Sequence, residues 1–304
     1  MKNLDGNFIA LFDSGFGGIS NLNLCLKLMP DENYVFYADS KNCPYGKRTK
    51  EDIVEIGKDI IGKFYKYNPK ALIIACNTMS TSDPEALREP YPDLKIIGTY
   101  PNFEHVLKPG TIIEEHSLKL SEKNLNSSSK KYKILILATT ATCRSDYLNE
   151  KMNLYSDLID IYIEPADMIV KAVENNEVDE MYLRNYLNGI LIPYMDIDAL
   201  ILGCTHFHFA EPVIRKILGN KVSITSGCEI AAKECYDYLS ENKMLNNTAN
   251  DSVKDKTGSS NKDHNKKHTI KIIDAKLTKK RKETFLRLLD FDKNKHDITF
   301  STSL

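Results

Sequence analysis

The sequence predicts an α/β protein made of two similar domains, each with a parallel β-sheet, and a functional site in the cleft between them. Its 304 residues are about twice the length of an ordinary domain, and 42% of them are hydrophobic, enough to bury a core. Apolar runs of strand length alternate with helical stretches. Because such nearly continuous runs are typical of strands covered on both faces, they favour parallel sheets flanked by helices.

The predicted elements alternate regularly along the chain. Strands are expected at residues 7–12, 34–38, 71–75, 95–98, 133–138, 158–163, 199–203, 221–225 and 269–273. Helices are expected at residues 21–29, 49–67, 167–173, 180–194, 230–239 and 278–289.

Two polar segments interrupt this alternation. Residues 115–131 and 246–268 are rich in Lys, Asn and Ser and nearly free of aliphatic side chains. Such sequence buries too little apolar surface to offset the entropy lost on ordering. We therefore predict two exposed insertions, the second of them mobile.

An internal repeat is the basis for predicting two similar domains. Two apolar runs end in a cysteine followed by polar residues: ALIIACNTMS (71–80) and ALILGCTHFH (199–208). Upstream of each, another apolar run ends in a polar turn. The interval from Asp13 to Cys76 differs by one residue from the interval between Thr140 and Cys204. Matching order and spacing predict two α/β halves of similar construction.

The amino-acid composition limits the classes of partner and location that the protein is expected to have. Lys and Arg total 41 against 42 Asp and Glu, a net charge of −1, so nothing points to nucleic acid or an anionic membrane as partner. The N-terminus lacks the pattern of a secretory signal, and no apolar run approaches the roughly 18–20 residues of a membrane span. The seven cysteines include no C-x-x-C pair or zinc-ligand spacing. Free thiols in the cytoplasm are the simplest interpretation.

Polar clusters follow the predicted strands where α/β sheets bind ligands. Cys76 and Cys204 lie at equivalent strand ends of the two halves, so we expect the thiols to face each other across one cleft. Inversion of a carbon centre needs such a pair, because one group removes a proton and the other returns one to the opposite face. The glycines at 15, 17 and 18 precede a helix, so their amides could hold an anion such as a carboxylate.

The simpler interpretations of these residues stay open at this point. Asp13 and His206, beside the two thiols, could tune proton transfer, but Asp13 could instead cap the next helix and His206 could be an ordinary buried histidine. A strand-end cysteine is usually a packing residue, and that interpretation is kept for Cys25, Cys143, Cys228 and Cys235.

Five motifs together resemble the glutamate racemases. They are FDSGFGGIS (12–20), CPYGKRT (43–49), ACNTMS (75–80), ATTATCRS (138–145) and LGCTHFHF (202–209). The stretch DAKLTKKRKETFLRLL (274–289) is similar to the last strand and helix of that family. The resemblance implies cofactor-independent interconversion of L- and D-glutamate, which supplies D-glutamate for peptidoglycan, and it is compatible with a homodimer. It also implies one domain at residues 1–99 plus 222–304 and a second at 100–221.

The resemblance also assigns roles to individual residues. The positions that match its catalytic groups are Cys76, Cys204, Asp13, His206 and, as an assisting acid, Glu174. The positions that match its substrate-binding groups are Asp13, Ser14, Tyr45, Gly46, Asn77, Thr78, Thr139, Thr142, Thr205 and His206. No metal ligand is implied.

The chain departs from the family pattern at three places. Residues 98–104 replace a Gly-Val-x-Pro stretch, Ala38-Asp39-Ser40 replaces Gly-Asp-Thr, and Thr140 stands where proline is expected. Three alternatives therefore stay open: a racemase of aspartate or a hydantoin, an amino-acid-binding protein without turnover, and a thiol hydrolase using Cys204 and His206. The last is disfavoured because an imidazole only two residues away is not expected to reach the sulfur.

Overall fold

The computed structural model describes residues 6–101, 103, 131–157, 159–175, 180–246 and 267–304. The two predicted insertions lie almost wholly outside these residues. The strands are β1 (Ile9–Asp13), β2 (Tyr34–Ala38), β3 (Ala71–Ile74), β4 (Ile96–Gly98), β5 (Tyr132–Ala138), β6 (Ile159–Pro165), β7 (Ala199–Gly203), β8 (Ser223–Ser226), β9 (His268–Asp274) and β10 (His296–Ser301).

Helices connect most of these strands. They are α1 (Ile19–Leu28), α2 (Lys50–Tyr65), α3 (Asn77–Ser80), α4 (Pro84–Arg88), α5 (Thr140–Cys143), α6 (Asp146–Tyr155), α7 (Asp167–Glu174), α8 (Glu180–Leu191), α9 (Glu211–Leu218), α10 (Gly227–Glu241) and α11 (Lys279–Leu288), with 3₁₀ turns at Tyr45–Lys47, Ile192–Tyr194 and Thr205–Ala210. None of the described helices is long and apolar enough to cross a membrane.

The predicted elements match the observed ones closely, with a few differences. The helix expected at 180–194 ends at Leu191 and continues as a 3₁₀ turn, because Pro193 has no amide hydrogen to donate. Strand β10 and helices α6 and α9 were not predicted. Helix α6 and strand β10 each bury only one side chain, which leaves a weak periodic signal, while α9 is amphipathic but spans only eight residues.

Every strand pair among the described residues is parallel, which confirms the predicted fold class. One sheet has the order β10-β9-β2-β1-β3-β4 and the other has the order β6-β5-β7-β8. The core of the first sheet, β2-β1-β3-β4, therefore has the same topology as the whole of the second. In this comparison β1 occupies the same position in its sheet as β5, and β3 the same position as β7, as the internal repeat predicted.

Strand β8 corrects one part of the predicted domain division. The sequence interpretation placed residues from 222 onward in the first domain, but β8 pairs with β7 in the second sheet. The chain leaves that sheet only at Gly227, where α10 begins and packs on α1. A Cβ at Gly227 would collide with the backbone of Tyr100. Glycine is therefore required at the point where the two segments that connect the sheets, one after β4 and one after β8, touch each other. The other boundaries stay a prediction.

A buried ion pair between Glu32 and Lys70 holds residues 244–246, which follow α10, against the first sheet's domain. Glu32 and Lys70 pair at 2.8 Å, and their side chains are only 2% and 10% exposed. The second oxygen of Glu32 accepts the backbone amide of Asn246 at 2.6 Å, and Lys70 also donates to the carbonyl of Met244 at 2.7 Å. Both charges are thus paired and hydrogen-bonded, the condition under which buried ions are tolerated.

Breaking this pair will destabilise the fold strongly. Glu32→Gln leaves the Lys70 ammonium buried without its counter-charge, so we expect the free energy of unfolding to fall by about 3 kcal/mol. The matched control is Asp59→Asn, which removes an exposed pair with Lys63 on α2 and should cost under about 1 kcal/mol. Urea denaturation measures both, and equal losses would show that the buried pair has no special role.

Candidate active site

The carboxyl ends of the equivalent central strands meet between the two sheets. Asp13 ends β1 and Cys76 follows β3, while Thr139 follows β5 and Cys204 follows β7. Cys76 and Cys204 are 6% and 7% exposed, so both thiols are shielded from bulk water to the same degree. Burial, the charge of Asp13 and, to a smaller extent, the charge of Cys204 raise the pKa of Cys76, so the two thiols lie within electrostatic reach of each other. The pair expected from the repeat is therefore brought to one site.

Asp13 joins the Cys76 thiol to the opposite half of the molecule. One carboxylate oxygen accepts the Ser14 amide at 2.6 Å, and the other accepts the hydroxyl of Thr205 at 2.8 Å. The carboxylate also lies close enough to the Cys76 thiol to raise the pKa of that thiol beyond the effect of burial. Burial raises the pKa of Asp13, while the charge of His206 and the Thr205 hydroxyl oppose that rise. Asp13 thus bridges the cleft, which a helix cap would not do.

Cys76 is held in its protonated form. Burial raises the pKa of the thiol well above its usual value, and the nearby Asp13 carboxylate raises it further. A sulfur that keeps its proton beside a carboxylate is suited to donate that proton to a substrate.

The second thiol has a different environment. The Cys204 sulfur lies 3.6 Å from Nδ1 of His206, whose Nε2 lies 2.8 Å from Oε1 of Glu174. Burial lowers the pKa of His206, but the hydrogen bonds with Cys204 and Glu174 outweigh it, so the pKa lies well above 6.5. Burial raises the pKa of Glu174, but the hydrogen bond and charge of His206 outweigh it and the net direction is down. The imidazole of His206 therefore lies between the Cys204 sulfur and the Glu174 carboxylate.

The contact between Cys204 and His206 corrects the geometric objection raised from the sequence. An imidazole two residues after a strand-end cysteine was not expected to reach its sulfur. Cys204 is in an extended conformation, and the 3₁₀ turn that starts at Thr205 turns the His206 ring back toward it. The thiol hydrolase alternative therefore has to be judged on the rest of the site.

The glycine-rich loop after β1 holds a carboxylate of the protein itself. The amide of Phe16 donates to Oε1 of Glu174 at 2.6 Å. A Cβ at Gly15 would collide with the Glu174 carboxylate, and one at Gly17 would collide with His206 and Thr205. The sequence suggested an anion at these amides, and Glu174 from α7 is that anion. The glycines are needed because side chains of the second half approach the loop so closely.

Three threonine hydroxyls join the two halves beside the thiols. Oγ1 of Thr78 lies 3.0 Å from Oγ1 of Thr139 and 3.2 Å from Oγ1 of Thr142, and all three residues are buried. Thr139 and Thr142 are themselves 3.0 Å apart. Each hydroxyl can rotate to donate or accept, so the cluster can reorganise around a carboxylate or an ammonium group.

Asn77 gives an independent indication of a polar ligand. Its side chain is 2% exposed, yet neither its amide nitrogen nor its amide oxygen has a hydrogen-bond partner among the described residues. Leaving such a group unpaired costs about 1–3 kcal/mol. That cost is offset if a ligand with both donor and acceptor groups, such as an amino acid, binds beside Cys76.

The remaining predicted binding residues lie on the first-domain side. The buried phenol of Tyr45 donates to Asp39 at 2.8 Å, which fixes the turn that presents Gly46. Gly46 approaches Thr139 and Asp167, at the point where the two halves meet. The hydroxyl of Ser14 donates to Asp13 at 3.3 Å.

Asp167 contributes to the site and was missed by sequence analysis. Its carboxylate accepts the backbone amide of Thr140 at 3.1 Å and the Thr140 hydroxyl at 2.5 Å. Proline at 140 would lack both donors, so this pair accounts for the departure from the family pattern. The signal was an acidic residue at the start of a helix, which ordinarily indicates only a favourable helix dipole interaction.

A cavity of about 620 Å³ opens beside these residues between the two halves. Its lining includes Gly46, Thr78 and Thr140 from the site described above. Its charged lining residues are Lys47, Arg48, Lys50, Arg144 and Asp146. The excess of positive charge favours an anionic molecule at the entrance. Within the described ranges, no group of three or more His, Cys, Asp or Glu side chains is arranged to hold a metal ion.

Curated proteins similar in sequence to this chain are glutamate racemases. No protein-family model matches the chain. It is 35% identical over 238 residues to a curated glutamate racemase of Clostridium perfringens, covering 78% of this chain and 84% of that protein. It is 33% identical over 240 residues to a glutamate racemase of Clostridium novyi, covering 78% and 85%.

A solved structure has the same fold. The crystal structure of glutamate racemase from Francisella tularensis in complex with D-glutamate superposes with a TM-score of 0.75 and 22% identity, covering 99% of this chain and 98% of that one. The sequence relatives cover most of both proteins, and the paired strand ends carry the motifs that predicted the likeness. The chain therefore belongs to the glutamate racemase family.

Proposed function

We propose that the chain interconverts L- and D-glutamate by proton transfer at Cα between two cysteines. The observation that carries this proposal is the pairing of two equally shielded thiols in opposite electrostatic settings, with Cys76 beside a carboxylate and Cys204 beside an imidazolium. A reaction that removes a proton from one face and returns one to the other needs a base and an acid at the same time. The related proteins named above are glutamate racemases.

The proposed reaction begins with glutamate bound between the sulfurs. Cys204, stabilised as a thiolate by His206, removes the α-proton, and the Cys76 thiol donates its proton to the opposite face. Hydrogen bonds to the substrate carboxylate stabilise the charge that develops there in the transition state. One turnover leaves Cys204 protonated and Cys76 deprotonated, which is the form that accepts the mirror-image substrate.

The substrate contacts follow from the buried polar groups. We assign the unpaired Asn77 amide and the hydroxyls of Thr78 and Thr205 to the amino-acid head of the substrate. We assign the second carboxylate to the region of Gly46, which lies beside Thr139 and lines the cationic entrance. The proposal includes no cofactor, because the two thiols supply both proton transfers.

A thiol hydrolase is the second candidate, favoured by one specific observation. Cys204, His206 and Glu174 are aligned as a nucleophile, a base and the group that orients the base. Such an enzyme has no use for a second shielded thiol beside Asp13, so we prefer the racemase. Incubation with amino-acid esters followed by intact-protein mass spectrometry distinguishes the two, since only a hydrolase accumulates an acyl adduct on Cys204.

The substrate is tested by chiral chromatography. We expect reactions started from pure L- or pure D-glutamate to end at equal amounts of both, because enantiomers have equal free energies. We expect a higher kcat/KM with glutamate than with aspartate. A higher kcat/KM with aspartate would reassign the substrate, and binding without turnover of either would establish a binding protein.

The cellular location of the enzyme and the use of its product are also proposals. A thiolate at the site requires reducing conditions, so we place the enzyme in the cytoplasm, where D-glutamate is used for peptidoglycan precursors. The family resemblance is compatible with a homodimer, and that stays a prediction.

A further inference from the structure

Arg281 lies close to the active site although it belongs to the C-terminal helix α11. Its guanidinium carbon is 4.2 Å from the ring centroid of Phe16, in the glycine-rich loop. Its Nη1 is 3.6 Å from Oε2 of Glu174, and its side chain is only 18% exposed. Nothing in the sequence singles out this arginine, because it lies in a run of basic residues.

Glu174 divides its two oxygens between different partners. Oε1 accepts the amide of Phe16 and faces Nε2 of His206 at 2.8 Å. Oε2 faces Arg281. A carboxylate held at both oxygens cannot rotate about its last bond, and its orientation fixes the plane in which His206 must lie.

Arg281 is itself held in place by a buried carboxylate. Its Nε donates to Oδ2 of Asp274 at 2.5 Å, and Asp274 is fully buried at the end of β9. The hydroxyl of Ser40 donates to the other oxygen of Asp274, as does the amide of Lys276 at 2.9 Å. Ser40 and Asp274 thus lock the guanidinium from the side opposite Glu174, and Ser40 is one of the positions where the chain departs from its family pattern.

We propose that Arg281 is a positioning residue for racemisation, acting through Glu174 to hold His206 against Cys204. This inference rests on the proposed function for its kinetic consequence, but the contact itself does not depend on turnover. The buried charge chain runs from Asp274 through Arg281 and Glu174 to His206. Removing the guanidinium frees Oε2 of Glu174, so the carboxylate and the imidazole lose their fixed geometry.

The direction of the pH effect follows from the charges around Glu174. The titratable groups that face this chain are His206, Cys43, Cys204, Asp13 and Asp274. The positive charge of Arg281 helps to lower the pKa of Glu174. Its loss therefore raises that pKa, and Glu174 becomes protonated at a higher pH. Since a neutral Glu174 no longer stabilises the imidazolium, activity on the acid side is lost at a higher pH than in the wild type.

The test compares Arg281→Gln with Lys280→Gln, which makes the same charge change on an exposed side chain of the same helix. We expect kcat/KM to fall about tenfold in Arg281→Gln. We also expect the acid limb of its pH profile, the low-pH side on which kcat/KM falls, to move to higher pH. Lys280→Gln should show neither change. Arg281→Lys retains the charge and should keep the acid limb while losing part of the rate. A loss of thermal stability without movement of the acid limb would show that Arg281 is only structural.

A second measurement separates this inference from the proposed function. The rates at which iodoacetamide alkylates Cys204 and Cys76 are followed by mass spectrometry and need no turnover. We expect Arg281→Gln and Glu174→Gln each to lower the ratio of Cys204 to Cys76 labelling, and the double variant to show no further drop. Additive effects, or an unchanged ratio, would overturn the inference even if the protein racemises glutamate. If the wild type does not racemise at all, the same labelling result still decides the role of Arg281.

Discussion

We expect the Cys76→Ser and Cys204→Ser variants each to lose racemisation in both directions by at least about 10³-fold. A serine hydroxyl at either position neither removes the α-proton nor returns one, because its acidity is far below that of a thiol. General acid and base groups each contribute roughly 10²–10⁴ to such rates. Each variant retains one thiol, so each can still release the α-proton of one enantiomer. Chiral chromatography measures the racemisation rate, and tritium release from the two labelled enantiomers measures the residual half-reaction.

The control for these variants is Cys235→Ser. Cys235 is fully buried in α10, in the core rather than at the strand ends. Its replacement by serine therefore makes the same chemical change without altering the site. We expect turnover to be retained. If either site variant kept at least a tenth of the wild-type rate, or released the α-proton equally from both enantiomers, the two-thiol assignment would be wrong.

We expect the second large effect on activity from Gly17→Ala, which adds a single methyl group to the loop after β1. A Cβ there would overlap Nδ1 of His206 and the hydroxyl of Thr205, which both come from the opposite half of the molecule. Gly17→Ala must therefore push His206 away from Cys204 or separate the halves. A displacement of about 1 Å at a reacting group costs on the order of 10²-fold in rate. We expect kcat to fall by about that factor, as measured by a circular dichroism assay of glutamate.

Gly189→Ala is the matched control for Gly17→Ala. Gly189 lies on α8, and a Cβ there would meet no atom within 4 Å. Alanine is a better helix former than glycine by about 1 kcal/mol, so this variant should be fully active and slightly more stable. Full activity in Gly17→Ala would mean that the contact between its loop and His206 does not position the catalytic groups.

The fold was largely accessible from the sequence because buried parallel strands leave a strong signal. Strands such as β1 and β7 are buried throughout and apolar up to their last residue, and the equal spacing of the polar residues at their ends predicted the matching sheet orders. The boundary near β8 was wrong because a four-residue strand with alternating polarity carries no information about which sheet it joins. Only the hydrogen bonds to β7 decide that.

Site residues that stand in short sequence motifs could be predicted. Contacts that depend on the three-dimensional fold could not. Cys76 and Cys204 stand in repeated motifs, so their pairing could be inferred. The reach of His206 to Cys204 was misjudged, since it depends on the 3₁₀ turn that follows the strand. Arg281 lies over a hundred positions from Glu174 along the chain, and no motif connects them.

The most direct test of the two-thiol account is racemisation of L-glutamate in D₂O, followed by NMR at Cα and by chiral separation at early times. The account predicts that D-glutamate forms with deuterium at Cα, because the acid thiol exchanges with solvent before it donates. It also predicts that recovered L-glutamate still carries its original proton. D-glutamate that keeps the substrate proton would contradict the account, since it would mean that a single group moves the proton from one face to the other.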